Sequence, residues 1–373
     1  MDNINSIQVY YDERLVGTMA LYKDRLAAFE YSKEWLSEGF SISPFSLPLE
    51  KKVFIPKMDP FDGLFGVFAD SLPDGWGRLL VDRLIRKNGL DPFSIGNLKR
   101  LAIVGNSGMG ALTYKPVYEL SSNSSELSLD EIAKECKQIL ESDDSTDNLD
   151  YLFVKGGSSG GARPKVLTNF DEEEWIIKFP SSDDDVNIGR QEYEYSVCAK
   201  QCGICMEEVR LFPSENCDGY FGSKRFDRKN GRRIHMVSAA GLLETSHRIP
   251  NLDYDLLMRL TLQLTQSMEE CEKLYRLMCF NVFAHNRDDH SKNFSYLYSE
   301  KESRWILSPA YDLTYSNSIG GEHATTVHGN GANPGLNDLL EVAKTIGISS
   351  IKAKRIAEEI KEKVTLQLGD YLK

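Results

Sequence analysis

Ile7 to Tyr11 and Leu15 to Leu21 alternate apolar and polar side chains on either side of Asp12-Glu13-Arg14, the pattern of two strands joined by a tight turn. Leu64 to Ala69 then leads into Ser71-Leu72-Pro73-Asp74, a helix start with proline at an early position. The helix itself is expected from Gly75 to Lys87, with a stop at Asn88-Gly89. Leu101 to Val104, a glycine loop and Ala111 to Tyr114 close a first domain over residues 1–120. Residues 121–150 read as a linker containing a helix. Polar Glu119 to Glu126 precedes Ser128 and Glu131, a capping box for a helix to about Leu140, and acidic Glu141 to Asp150 follows.

From Leu152 the rhythm turns strand-like. Phe153-Val154, a glycine loop, Val166-Leu167-Thr168, a turn at Asn169 to Glu173 and Trp175 to Phe179 come in succession. A helix from Gln191 to Cys202 and strands near Val209 to Phe212 and Tyr220 to Phe226 complete residues 151–240. Past Asn251 apolar residues recur at helical spacing, in Asp253 to Gln266, in Met268 to Ala284 (with Ser267 and Glu270 as a capping box) and in Ile351 to Leu368. Residues 241–373 are therefore expected to be mostly helical. No internal repeat interrupts this order of strands first and helices after.

Composition narrows the class. The chain has 41% hydrophobic residues over 373 positions, enough for a real core in each of two or three domains. Its 44 basic and 56 acidic residues leave a net charge of −12, which argues against broad nucleic-acid affinity and leaves Lys224-Arg225 to Arg233 as the best local basic patch. No apolar run approaches the ~20 residues that span a bilayer. The start, Met1 to Ser6, lacks a signal-peptide pattern, so a cytoplasmic protein without membrane contact is expected. Seven cysteines, an odd number, do not read as a disulfide framework. Cys198, Cys202 and Cys205 lack a second pair at zinc-finger spacing, so buried thiols near a helix end are the better reading.

The chemistry concentrates in Asn286 to Ser295. Arg287-Asp288 followed by Asn293 has the R-D-x-x-x-x-N spacing of the protein-kinase catalytic loop, in which a carboxylate orients the attacking hydroxyl and an amide oxygen holds magnesium. Phe294 to Tyr298, a turn at Glu300 to Ser303 and Arg304 to Leu307 form a hairpin that returns Asp312 toward Asp288 and Asn293, where a second metal-binding carboxylate is needed. A polar loop beside a surface hairpin with scattered acids is the bland alternative. His290 and Lys292 lie inside the same segment, placed to contact phosphate or to buttress the loop. Upstream, Gly156-Gly157-Ser158-Ser159-Gly160-Gly161 can bring backbone amides against phosphate oxygens. It is neither a Walker A loop, since Ala162 stands where lysine is required, nor the kinase G-x-G-x-x-G. Lys178, ending an apolar strand, is the natural phosphate lysine, with Lys165 as the substitute candidate. Glu192 on the next helix is its natural partner, and Glu194 the alternative. Gly105 to Gly110, a second glycine loop with no lysine after it, reads as a structural turn. The expected fold is α+β: two-lobed and protein-kinase-like, with a mixed strand/helix N-terminal subdomain and a mostly helical C-terminal lobe.

With these residues assembled, the chain resembles the HipA family of bacterial serine/threonine kinases, toxins of toxin–antitoxin pairs. Leu72-Pro73-Asp74-Gly75, Val104-Gly105 with Gly110-Ala111-Leu112, Ser158 to Lys165, Arg225-Phe226-Asp227-Arg228, Asp288-Asp289-His290-x-Lys292-Asn293 and Pro309-x-Tyr311-Asp312 carry the resemblance over nearly the whole length. It implies ATP and Mg2+ as cofactors, Asp288 as catalytic base, and Asn293 and Asp312 as metal ligands. Lys178, Ser158, Ser159, Gly160, Gly161 and His290 fall near the ATP phosphates, and Met236 and Ser238 at the adenine. Ser158 falls at the family's autophosphorylated serine, with Ser159 adjacent. A translation component such as an aminoacyl-tRNA synthetase is the implied substrate. A small helix-turn-helix antitoxin is the implied partner, with DNA reached only through it. A small-molecule or lipid kinase on the same scaffold, and a non-catalytic subunit of a repressor, remain competing readings.

Overall fold

The computed structural model describes residues 4–118, 127–142, 148–157, 160–182 and 184–372. The linker expected from Glu119 to Glu126 lies outside these residues, as do positions 143–147 of the second linker. The chain forms two compact units, one of Met1–Gly189, Phe212–Val237 and Gly241–Thr245, the other of Arg190–Leu211, Ser238–Ala240 and Ser246–Lys373.

The first unit opens with an antiparallel five-stranded sheet in the order Val53–Phe54, Leu26–Tyr31, Arg14–Tyr22, Ser6–Tyr11, Leu112–Lys115. Alternation places Ile7, Val9 and Tyr11 inward. Asp12, at a φ of 50°, makes the turn that pairs Tyr11 with Arg14, as the pattern predicts. The helix Gly75–Lys87 buries Trp76, Leu80 and Leu84 in one core with Ile132, Cys136 and Ile139 of the capped helix Leu129–Glu141. Val166, Trp175, Ile177 and Phe179 join the same core from a second antiparallel sheet, in which Glu173–Lys178 lies between Lys165–Phe170 and Tyr220–Lys224.

Phe153-Val154, expected as a strand, lies instead in a helix, Leu149–Gly156. Leu149, Leu152 and Gly156 meet the core at three and four spacing, and a side chain at Gly156 would strike the Lys165 carbonyl at 2.5 Å. A short apolar run carries no period of its own, and the packing partner chose the helix.

The expected basic patch is only partly a surface feature: Lys229 and Arg232 are exposed, while the arginines beside them turn inward. Asp227, fully buried, accepts from Arg225 Nε (2.9 Å), Arg225 Nη2 (2.8 Å), Arg228 Nη1 (2.9 Å) and the Gly110 N–H (2.7 Å). Arg228 and Arg233 donate to the carbonyls of Gly108 and Gly110, so three arginines wrap the Gly105 to Gly110 loop and their charge points inward. Burial alone would raise the Asp227 carboxyl, but Arg225, Arg228 and the Gly110 N–H hold it at about 2. Such a depressed carboxylate contributes stability that is complete above the unfolded value of about 4 and is lost as pH falls toward the folded one. Asp227→Asn is expected to destabilise the protein by about 3–5 kcal/mol at neutral pH. Urea unfolding reads this loss, and the gap from wild type should narrow as pH drops through that window. A gap of constant size would show that the charge does not hold the clasp.

The second unit is built on helices. Met268–Phe283 runs through its middle, burying Cys271, Leu274, Tyr275, Met278 and Phe280, and packs against Tyr254–Thr265 and Ser350–Leu368. A further helix, Leu336–Thr345, was not foreseen from the pattern; Asp338 accepts the Gly335 N–H at its start. The Ser267–Glu270 box forms only in half. Ser267 caps Glu270 N–H, but the buried Glu270 carboxylate turns to the Leu307 N–H (2.9 Å) and Lys273 (2.9 Å), tying the hairpin Ser295–Ser299/Arg304–Leu307 to the helix. Cys198 and Cys202 are buried thiols at the end of helix Ile188–Gln201. Among the described residues no helix is long and apolar enough to cross a membrane.

Candidate active site

The candidate loop begins where Met268–Phe283 ends. His285 takes a φ of 52° to turn the chain, and Asn286 bonds back to Asn281 through both backbone (2.9 Å) and side chain (3.0 Å). Burial, followed by Arg287 and His323 nearby, pushes the His285 pKa down. A short 3-10 turn, Ser291–Asn293, is closed by Asn293 N–H on the His290 carbonyl at 2.8 Å. Asn293 Nδ2 then donates to the Asp288 carbonyl at 2.8 Å. The hairpin pairs Tyr296 with Leu307 and delivers Tyr311, whose hydroxyl bonds Ser295 Oγ and the Lys292 carbonyl, both at 2.6 Å. Asp312, next in sequence, sits in the left-handed region at a φ of 54°. The structure thus closes Asp288, Lys292 and Asn293 into one turn and ties that turn to Tyr311, the residue before Asp312.

Asp288 is 65% exposed, so its carboxylate faces solvent. His290 Nε2 lies 4.0 Å from Asp288 Oδ1, and its ring packs against His247 at 5.4 Å. His290 Nδ1, Ser291 Oγ and Thr314 Oγ1 are buried with no hydrogen-bond partner among the described residues. The donor chemistry fits magnesium. With its nitrogen bonded to the Asp288 carbonyl, Asn293 keeps Oδ1 as an oxygen donor, and Asp312 is a carboxylate, both of the hard-oxygen chemistry that magnesium takes. Among the described residues there is no cluster of three or more His, Cys, Asp or Glu side chains arranged for a metal.

Sequence reasoning missed what holds this loop. Asp289, fully buried beside the exposed Asp288, accepts from Tyr254 Oη (2.9 Å), His323 Nδ1 (3.0 Å) and the Thr325 N–H (3.1 Å). Thr325 Oγ1 returns a bond to the Asp289 carbonyl, and Ala324 N–H takes the Arg287 carbonyl at 3.0 Å. Burial, with Asp289 beside it, pushes the Tyr254 hydroxyl well up, so it donates as a neutral O–H. His323 is 34 positions from Asp289, and no local spacing announces such a pair.

In the first unit, Ser158 and Ser159 lie outside the described residues. The loop that contains them leaves a helix rather than a strand. Beyond it, Gly161 adopts a φ of 83° and Lys165 Nζ donates to the Gly160 carbonyl at 2.6 Å. Lys165 and Lys178 are directly paired across neighbouring strands, so both lie on one face of the sheet, with Lys178 Nζ 5.6 Å from the Phe221 ring. Arg163 makes a two-pronged bond to Asp184 (3.0 and 3.0 Å). Met236–Ser238 is extended, with Met236 against the Gly110 backbone and Ser238 buried. In the second unit Glu192 is buried on helix Ile188–Gln201, whereas Glu194 is held by the Tyr371 hydroxyl at 2.7 Å.

Strands with a glycine loop and paired lysines in one unit, and helices with an Asp-Asn loop and a returning aspartate in the other, define an α+β protein of kinase-like fold. The chain belongs to the HipA family: residues 7–115 match the HipA N-terminal domain and residues 157–368 the HipA-like C-terminal domain. Among solved structures it is similar to the HipA, HipB and operator DNA complex of the Shewanella oneidensis MR-1 toxin–antitoxin system. The TM-score is 0.73 and the identity 17%, over 98% of this chain and 90% of that one. That likeness establishes a shared fold. A slighter one, to the Helicobacter pylori proinflammatory kinase CtkA, has a TM-score of 0.37 and 12% identity over 55% of this chain and 91% of that one. No curated protein matches the chain.

Proposed function

We propose that this chain is an ATP- and magnesium-dependent serine/threonine protein kinase of HipA type. In this reading it is a growth-inhibiting toxin acting on a translation component, of which an aminoacyl-tRNA synthetase is the leading example. The observation that supports the reading is the closure in the second unit: Asn293 on the Asp288 carbonyl and Tyr311 on the Lys292 carbonyl tie the Asp-Asn loop to the segment that carries Asp312. Asp288 would accept the proton of the attacking hydroxyl. Asn293 and Asp312 would hold magnesium, which when bound offsets charge on the phosphate oxygens. Lys178 would bind those oxygens, while Lys165 secures Gly160. Lys292 and His290 would add positive charge and a donor beside the base. Met236 to Ser238 would line the adenine.

Ser158, by its place in the sequence, is the proposed autophosphorylation site, with Ser159 as neighbour. A phosphate there adds about −1.5 to −2 charge and would be repelled by those of ATP. Arg163, which pairs with Asp184 in the unmodified chain, is a candidate cation to receive the modified serine. Likeness to the Shewanella complex of HipA, HipB and operator DNA supports an antitoxin partner with DNA engaged through it, and we propose a small helix-turn-helix protein in that role.

The test is incubation with labelled ATP, with and without magnesium, against cell extract, followed by mass spectrometry. Magnesium-dependent label on protein serine or threonine is expected. Label confined to small molecules would move the acceptor class, and no turnover of any kind would overturn the reading. Asp289→Asn, which sets an amide against three donors, should lower kcat by ~10²-fold through a misplaced loop while ATP affinity changes little. Steady-state kinetics on the folded variant checks this; a wild-type kcat would remove Asp289 from any positioning role.

A further inference from the structure

Asp74 stands at the N-cap of helix Gly75–Lys87, yet its side chain makes no capping bond to its own helix. Its carboxylate instead accepts the N–H of Gly161. Trp76 N–H, one of the helix's orphan donors, completes the exchange by giving to the Gly161 carbonyl at 3.0 Å. Trp76 Nε1 adds a bond to the Lys165 carbonyl at 3.2 Å, and Lys165 Nζ bonds back to Gly160. The approach is backbone to backbone. Gly75 has a φ of 44°, and a Cβ there would lie 2.4 Å from the Gly161 carbonyl oxygen and 2.8 Å from Ala162 Cα. The start of this helix has given up its ordinary cap to grip the glycine loop.

We propose that Asp74, Gly75 and Trp76 are positioning residues for nucleotide binding: this helix start, within the region matching the HipA N-terminal domain, fixes Gly160 and Gly161 in the conformation that receives phosphate. The inference rests on the kinase reading above. A loop rich in glycine is costly to order, so a template that orders it beforehand raises affinity without touching the nucleotide. The N-terminal domain is then part of the nucleotide-binding apparatus.

Two measurements on the full-length chain test this. Amide hydrogen exchange without nucleotide should show residues 160–166 protected in wild type and faster-exchanging in Asp74→Ala. Kinetics should show the KM for ATP raised by about tenfold or more in Asp74→Ala and Gly75→Ala, with kcat at saturating ATP little changed. Asp74→Asn, which keeps an acceptor oxygen, should recover most of the affinity. A cap that matters only for folding would lower stability and leave the KM of the folded protein alone. Unchanged exchange and unchanged KM in folded Asp74→Ala overturn the inference and spare the kinase reading. Wild-type protein that binds no nucleotide overturns both. If Gly75→Ala does not fold, the Asp74 pair decides.

Discussion

Asp288→Asn is expected to lower phosphoryl transfer by about 10²–10⁴-fold while leaving both stability and nucleotide binding close to wild type. The base is lost, but the shape of the loop is not. Asn293 bonds the backbone carbonyl of residue 288, a contact the substitution keeps, and the side chain itself is 65% exposed. The variant therefore separates chemistry from folding. Turnover is read with labelled ATP, binding by titration with a fluorescent nucleotide, and folding by urea denaturation. A variant that keeps the wild-type rate with every acceptor would remove Asp288 from the role of base.

Asp312→Ala should fail at an earlier step. With one of two protein oxygens gone, the magnesium requirement should rise by at least about 10–100-fold, the range found when a residue merely supporting a metal ligand is lost. Backbone effects need separating here, because Asp312 occupies the left-handed region, which alanine tolerates less well than aspartate or asparagine. Asp312→Asn is the control: it keeps the backbone preference and an oxygen but loses the charge. Alanine and asparagine variants that share a weakened magnesium response place the effect on the carboxylate. A magnesium titration that coincides with wild type in both would assign the metal elsewhere.

Much of the local architecture was legible because it is decided within a few residues. Asp12 tolerates the left-handed turn that closes the first hairpin, and Ser128 and Glu131 satisfy each other's backbone donors at a helix start. Alternation in Ser295–Ser299 and Arg304–Leu307 foretold the hairpin that carries Tyr311 and Asp312 back toward the loop. The Asp-Asn spacing of the loop was visible for the same reason.

Other side chains had two uses open to them, and local chemistry could not choose. Phe153-Val154 had no period long enough to distinguish strand from helix, and the surface offered by Trp76 and Leu80 settled it. Glu270 and Asp74 each had the right type and position for a helix cap. One was drawn away by the Leu307 N–H, the other by the Gly161 N–H. Arg225, Arg228 and Arg233 read as a surface patch until Asp227 and the carbonyls of Gly108 and Gly110 turned them inward. Asp289 had no local partner to mark its role, and only folding supplied Tyr254, His323 and Thr325 to bury it. The sequence by itself determined the turns, caps, periodic elements and loop spacing, since their partners lie within a few residues. Tertiary structure alone decided which polar groups would be buried together, because a hydrogen bond across many residues depends on where the chain returns.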